Sequence, residues 1–132
     1  MPRFVILTHD HPFLHWDLML EADGTLHTWR LLDEPRPDVP IRAEALPDHR
    51  IAYLDYEGPV SRGRGNVTRW DAGTFTDAAC GEFERVVIIC GARLRGQATL
   101  TQRPEGLCWT FHSGGRSAAL QPAQSPEARP CR

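Results

Sequence analysis

Within residues 9–17, HDHPFLHWD, three of the chain's six histidines stand beside two aspartates. Imidazole nitrogens and carboxylate oxygens are the donors that suit borderline divalent cations such as manganese, zinc and ferrous iron. Leu14 to Glu21 alternates, with Leu14, Trp16, Leu18 and Leu20 on one side and His15, Asp17, Met19 and Glu21 on the other. As a strand it therefore projects His15 and Asp17 from the same face. His9 ends the apolar run Arg3 to Thr8, and a turn at Asp10-His11-Pro12 lets it fold back toward that pair, while Pro12 can aim His11 elsewhere. Two readings of this spacing stand. One is a metal site with open positions for water or substrate oxygens; the other is the solvated face of an amphipathic strand beside a loop histidine.

Two further stretches carry chemistry. Pro47-Asp48-His49-Arg50 puts a histidine just ahead of the strand-like Ile51 to Tyr56, where it can act as an acid, a base or a donor to an anion. Ser61 to Asn66, SRGRGN, interleaves Arg62 and Arg64 with glycines. Such a flexible basic loop can wrap a phosphate or be an ordinary surface turn.

The rest of the chain must position these groups. At 132 residues it is long enough for one domain with its own core. Short strand-like runs separated by turn residues predict an all-β fold: Arg3 to Thr8, Leu14 to Glu21, Thr25 to Leu31, Ile51 to Tyr56, Asn66 to Trp70, Phe83 to Cys90, Gln97 to Gln102 and Leu107 to His112. Asp23-Gly24 predicts a tight hairpin, Asp33 to Pro40 a proline-rich loop, and Ala72-Gly73 a turn. Seven or eight strands at this spacing suit a compact antiparallel β-barrel with few short helices. The barrel is expected over residues 1–112, followed by a flexible tail over 113–132 rich in Gly, Ser, Ala, Gln and Pro.

Composition removes several functions. All 15 basic residues are arginine, so lysine Schiff bases, lysyl-nucleotide intermediates and a P-loop lysine are excluded. The net charge of −2 argues against a broad non-specific grip on nucleic acid but permits a local basic pocket. The four cysteines lack metal-binding spacing, and Cys90 and Cys108 read as buried thiols. With neither a membrane-length apolar run nor a signal-peptide pattern, the expectation is a cytoplasmic protein, monomeric by default.

Taken together, FVILTHDHPFLHWDLMLEADGTLHTW, PDHRIAYLDYEG, WDAGTF and ARLRGQATLTQRPEGLCWTF resemble, in order, the landmarks of the 3′-phosphoesterase domain of bacterial DNA ligase D. The resemblance covers about residues 3–112. It implies a β-barrel that uses a divalent metal, typically Mn²⁺, to remove a terminal ribonucleoside and then a 3′-phosphate from DNA or RNA-tailed DNA ends, leaving a hydroxyl for ligation. It implies His9, His15 and Asp17 as metal ligands, His49 at the scissile phosphate and Tyr53 supporting it. Met19 stands where the family pattern has a phosphate-holding arginine, Asp33 where it has lysine, Pro47 where it has an acid, and Leu7 where it has glutamine. A second phosphate-binding arginine matches Arg42 if one residue is deleted, and Arg50, Arg62 and Arg64 are candidates to compensate from new positions. The resemblance thus supports a 3′-end-processing enzyme. The replaced residues support an alternative, a non-catalytic module that binds metal and nucleic-acid ends for a separate ligase or polymerase. A barrel hydrolase of another small phosphoester is a third possibility.

Overall fold

Alternating side-chain direction decides the architecture, because several strands carry apolar residues on both faces. The computed structural model describes residues 1–113. They form β1 (Arg3–His9), β2 (His15–Ala22), β3 (Thr25–Leu31), β4 (Ile41–Arg50), β5 (Gly58–Pro59), β6 (Asn66–Cys80), β7 (Glu84–Gly91), β8 (Arg95–Arg103) and β9 (Gly106–Phe111), with one turn of 3-10 helix at Ile51–Leu54. The order β1-β2-β3-β4-β9-β8-β7-β6 is antiparallel throughout, and β6 pairs back onto β1, so the sheet closes as an eight-stranded barrel with β5 added beside β6. The expected all-β barrel is the observed one. The tail expected over 113–132 lies outside the described residues, except Ser113, which donates from N and Oγ to the Asp38 carboxylate.

Phe4, Ile6, Trp16, Leu18, Leu20, Trp29, Leu31, Trp109 and Phe111 point into the barrel and fill it. Trp109 meets Trp29 edge-on, with centroids 5.3 Å apart, and stacks on Phe111. An eight-stranded barrel is just wide enough for such side chains, so this interior is core. The opposite faces of β1 and β2 are covered too. Val5, Leu7 and Met19 pack with Leu26, Leu54, Val60 and Val67 in a second apolar cluster outside the wall. All six residues from His15 to Leu20 are consequently buried.

The covering layer corrects one expectation. Ile51 to Tyr56 is not a strand: Ile51–Leu54 is helical, dropping Leu54 and Tyr53 together onto the outer cluster. A strand would have pointed these neighbours to opposite sides. Nor is Ala72-Gly73 a turn. β6 runs through it, pairing with β1 up to Thr74 and with β7 from Gly73 onward. Gly73 is needed because a Cβ there would collide with the Cys90 carbonyl of β7. β4, with prolines nearby and only Ile41 and Ala43 in the core, was not legible as a strand. Cys108 is buried as expected, but Cys90 is exposed, since Ile89 and Gly91 take the inward positions.

Asp71, 3% exposed, ties β6 to the β7–β8 turn. Its Oδ1 accepts the N–H groups of Ala72, Ala92 and Arg93 at 2.8–3.1 Å, and Oδ2 that of Leu94 at 2.8 Å. Charge-assisted bonds to a buried carboxylate are strong, and their loss strands buried donors. Asp71→Ala is expected to lower unfolding free energy by about 3 kcal/mol, read from urea denaturation, with Asp71→Asn intermediate.

Candidate functional site

His9 and His15 face each other at the mouth of the β1–β2 hairpin, where the register pairs His9 with His15 and Leu7 with Asp17. All three polar side chains leave the outer face of the barrel wall, level with the second apolar cluster. His15 is 1% exposed and Asp17 3%, so the solvated-face reading of this strand does not hold. Burying a carboxylate in an apolar wall is costly unless positive charge or donors compensate it.

The compensating groups are the two imidazoles. Nδ1–H of His15 donates to the Phe13 carbonyl at 2.8 Å, leaving Nε2 3.3 Å from Asp17 Oδ1. Nε2–H of His9 donates to the Arg64 carbonyl at 2.8 Å, leaving Nδ1 3.2 Å from Asp17 Oδ2. Backbone carbonyls thus set both tautomers, the usual second support of a metal-ligating histidine. Among the described residues, Asp17 Oδ1 is buried without a hydrogen-bond partner. Two lone-pair nitrogens turned toward a carboxylate repel it unless a proton or a cation lies between them. The donor atoms of His9, His15 and Asp17 lie within 4.8 Å of one another, close to the roughly 4 Å that two bonds of about 2.1 Å span. This mixed nitrogen–oxygen set can hold one divalent ion.

The trio lies in a cleft of about 630 Å³ whose other walls are β3, the end of β4 and the residue 60–67 segment. His49 is in β4 rather than ahead of a strand; its Nδ1–H donates to the Pro47 carbonyl at 2.9 Å, which leaves Nε2 free. Tyr53 lies edge-on to His49, centroids 5.8 Å apart, and Tyr56 edge-on to Tyr53 at the same separation. Arg50, Arg62 and Arg64 line the cleft; Arg42 does not, being exposed on β4 opposite Cys108. The arginine loop is held rather than free: Asp10 accepts the Asn66 N–H at 2.8 Å, and Arg64 donates to Ser61 O and Oγ. Gly65, at φ +79°, packs against Asp10 and His11 where a Cβ would clash. His11 lines the cleft but stands outside the trio. Four arginines and four histidines line this cleft against Asp17 and Asp48, so a chain of net charge −2 carries a basic pocket.

A family model for the DNA ligase D 3′-phosphoesterase domain matches residues 7–102. The chain belongs to the DNA ligase D 3′-phosphoesterase domain family. It is 37% identical over 79 residues to the multifunctional non-homologous end joining protein LigD of Pseudomonas aeruginosa, covering 56% of this chain and 9% of that protein. To the multifunctional non-homologous end joining DNA repair protein LigD of Mycobacterium tuberculosis it is 31% identical over 120 residues, 83% of this chain and 15% of that protein. To LigD of Mycolicibacterium smegmatis it is 30% identical over 129 residues, with 83% and 16% covered. The chain therefore spans less than a fifth of the length of these curated relatives.

One cleft residue of this phosphoesterase-family barrel escaped the sequence reading. Arg30, on β3, is paired directly with Asp17. The signal was available: Asp23 and Gly24, at φ 55° and 80°, make a two-residue turn that pairs Ala22 with Thr25, and counting outward sets Arg30 opposite Asp17.

The trio also couples protonation to folding in the metal-free protein. A hydrogen bond donated by protonated His9 to the Asp17 carboxylate raises the pKa of His9, outweighing burial. Burial pushes Asp17 up, but the imidazoles of His15 and His9 beside its carboxylate outweigh that and leave it below the ordinary range. The His9 contribution is complete below its unfolded value of 6.5 and fades as pH rises through the raised folded value. That of Asp17 is complete above its unfolded value of 3.8 and fades as pH falls through the depressed one. In chelator-treated protein both are therefore complete between pH 3.8 and 6.5. In an NMR titration the His9 ring should show a midpoint above that of a free imidazole, falling back in Asp17→Asn.

Proposed function

We propose that this chain is a metal-dependent phosphoesterase that trims the 3′ ends of DNA or RNA-tailed DNA, removing a terminal ribonucleoside or 3′-phosphate before ligation in the cytoplasm. The observation that carries the reading is the convergence of half-buried His9 with buried His15 and Asp17, with Asp17 Oδ1 lacking a hydrogen-bond partner among the described residues, in one cleft with His49 and a set of arginines. Family membership supports the end-processing role. The nitrogen–oxygen ligand set fits Mn²⁺, which when bound supplies Lewis-acid polarisation of a phosphoryl oxygen and a more acidic water.

The chain's own residues supply the remainder. Pro47 fixes the His49 tautomer, so Nε2 is the atom presented to the phosphate, donating a hydrogen bond when protonated and passing that proton to the leaving oxygen. The Tyr53 ring, edge-on to the imidazole, limits its rotation. Arg50, Arg62 and Arg64 offer guanidinium groups to the strand's phosphates. The 3′-hydroxyl product is the end that a separate ligase or polymerase accepts.

A second reading is a non-catalytic module that binds metal and DNA ends. It is favoured by Met19, 1% exposed and lining the cleft where the family pattern has a phosphate-holding arginine. A primer-template ending in a ribonucleotide or a 3′-phosphate, incubated with Mn²⁺, separates the two. Trimming is expected, abolished by EDTA, lowered at least 10³-fold by His15→Ala or Asp17→Ala, and about 10²–10³-fold by His49→Ala. Saturating Mn²⁺, at about 100 times its Kd, should stabilise wild type and His49→Ala by about 2.7 kcal/mol but not Asp17→Ala. End binding without trimming selects the module; trimming indifferent to His15→Ala rejects the metal trio.

A further inference from the structure

Arg30 combines features that the other cleft arginines lack. Its side chain is only 24% exposed, and its Nε is buried with no hydrogen-bond partner among the described residues. Its one ion-pair contact, Nη1 to Glu44 Oε1, is long at 3.5 Å and reaches a half-exposed carboxylate. Arg64, by contrast, already bonds Ser61, and Arg50 and Arg62 are exposed. A guanidinium carries five donors in a fixed fork. Covering one without satisfying it is unfavourable unless an anion completes the set.

The surroundings state what that anion meets. Arg30 pairs across the strands with Asp17, and Met19 pairs with Thr28, so Arg30 and Met19 are diagonal neighbours on the same outer face. The guanidinium carbon lies 5.4 Å from the centroid of the Phe13 ring. That ring is also edge-on to His15 at 5.4 Å, and the Phe13 carbonyl fixes the His15 tautomer. Phe13 is 48% exposed despite its size, and its ring restrains Arg30 at the cleft beside the trio.

We propose that Arg30 is the phosphate-gripping residue of this chain, delivered from the strand opposite Asp17 in place of the arginine missing at position 19, with Phe13 as its positioning residue. The ligand is a phosphoryl group, either a 3′-phosphate or the phosphodiester beneath a terminal nucleoside. The inference rests on the reading of the cleft as a phosphoesterase site, yet it can be tested without turnover, because Arg30 must bind phosphate whether or not the bond is cleaved.

The test measures three properties of the full chain with Mn²⁺: affinity for inorganic phosphate, preference for 3′-phosphate over 3′-hydroxyl primer-templates, and kcat/KM for trimming. Arg30→Ala is expected to abolish measurable phosphate binding, remove the 3′-phosphate preference and lower kcat/KM about 10²-fold. It should retain the wild-type Mn²⁺-induced thermal shift, which reports an intact trio and fold. Arg30→Lys, keeping charge but not the fork, should recover about a tenth of wild-type affinity. Added guanidinium should partly restore trimming by Arg30→Ala. Phe13→Ala should raise KM more than it lowers kcat, and Arg103→Ala, on β8 away from the cleft, should change nothing. Phosphate binding lost in Arg30→Ala while wild type fails to trim would uphold the proposal and reject the enzymatic reading. Wild type that binds no phosphate, Arg30→Ala binding it as well as wild type, or Arg103→Ala losing it equally overturns the proposal. Should Arg30→Ala fail to fold, Arg30→Lys decides: unchanged affinity overturns, and a loss accompanied by a normal Mn²⁺ shift supports.

Discussion

Asp17 is a carboxylate set into a wall that is apolar on both sides, and much of the site follows from that. Trp16 and Leu18, its neighbours on β2, face the filled barrel, while Met19 and Leu7 meet the outer cluster. Only 3% of Asp17 remains exposed at the cleft, too little to solvate the charge. Donors or cations must therefore be brought to it, and the hairpin brings His9 and His15 from either side. Those rings in turn need their remote nitrogens satisfied, which fixes where the Phe13 and Arg64 carbonyls stand. The loop before β2 and the arginine loop before β6 are thus tied to one buried carboxylate. The local order of the cleft is in large part the result of compensating that charge.

The same constraint explains why the chemistry lies outside the barrel. Trp29, Trp109 and Phe111 occupy the interior with ring-to-ring packing, and the trio is presented on the outer face instead. The outer layer is thin, a 3-10 turn, a two-residue strand and the loop to β6, and it covers only part of the β1–β2–β3 face. Leu54 and Val60 seal one portion of that face. The uncovered remainder is the cleft, whose floor is barrel wall and therefore rigid. A functional group on a strand in the middle of a sheet is held more firmly than one on a loop, and His15, Asp17 and Arg30 have that support. Arg50, Arg62 and Arg64 do not; they sit at the end of β4 or on the loop, exposed and suited to longer-range attraction.

Much of this was legible in the residues. Two-residue alternation placed His15 and Asp17 on one face, and Asp23-Gly24 fixed the hairpin. Closure into a barrel followed from the number and spacing of short strands. What alternation did not reveal was that both faces of β1 and β2 are buried. Val5, Leu7 and Met19 were readable as apolar, but their cover comes from residues 51–60, whose helical turn resembles a strand in composition. β4 was obscured for a related reason: it spends Arg42, Glu44 and Asp48 on solvent and keeps few inward apolar residues, because Trp109 from β9 fills the space beside it. The role of Asp71 was hidden because its partners are backbone amides about twenty residues away, which leave no mark on side-chain type.

Net charge is the property that misleads most. A chain of charge −2 gives no hint of a cleft with four arginines, because most of its acids are placed elsewhere: Glu21 accepts the Arg3 N–H, Asp55 pairs with Arg3, Asp77 with Arg85, and Glu34 accepts from Trp70. The useful quantity is how much hydrogen-bonding capacity each base has left once its neighbours are counted. Arg85, inside the rim, is held by Asp77 through Nε at 3.0 Å and Nη2 at 2.9 Å; Arg93 lies 3.7 Å over the Trp70 ring. Arg30 is covered almost as well, yet its ion-pair contact among the described residues is the longer 3.5 Å approach to Glu44. In a protein whose only permanent side-chain cation is guanidinium, unspent donors beside a buried trio are what distinguish an arginine placed for a ligand from one placed for the fold.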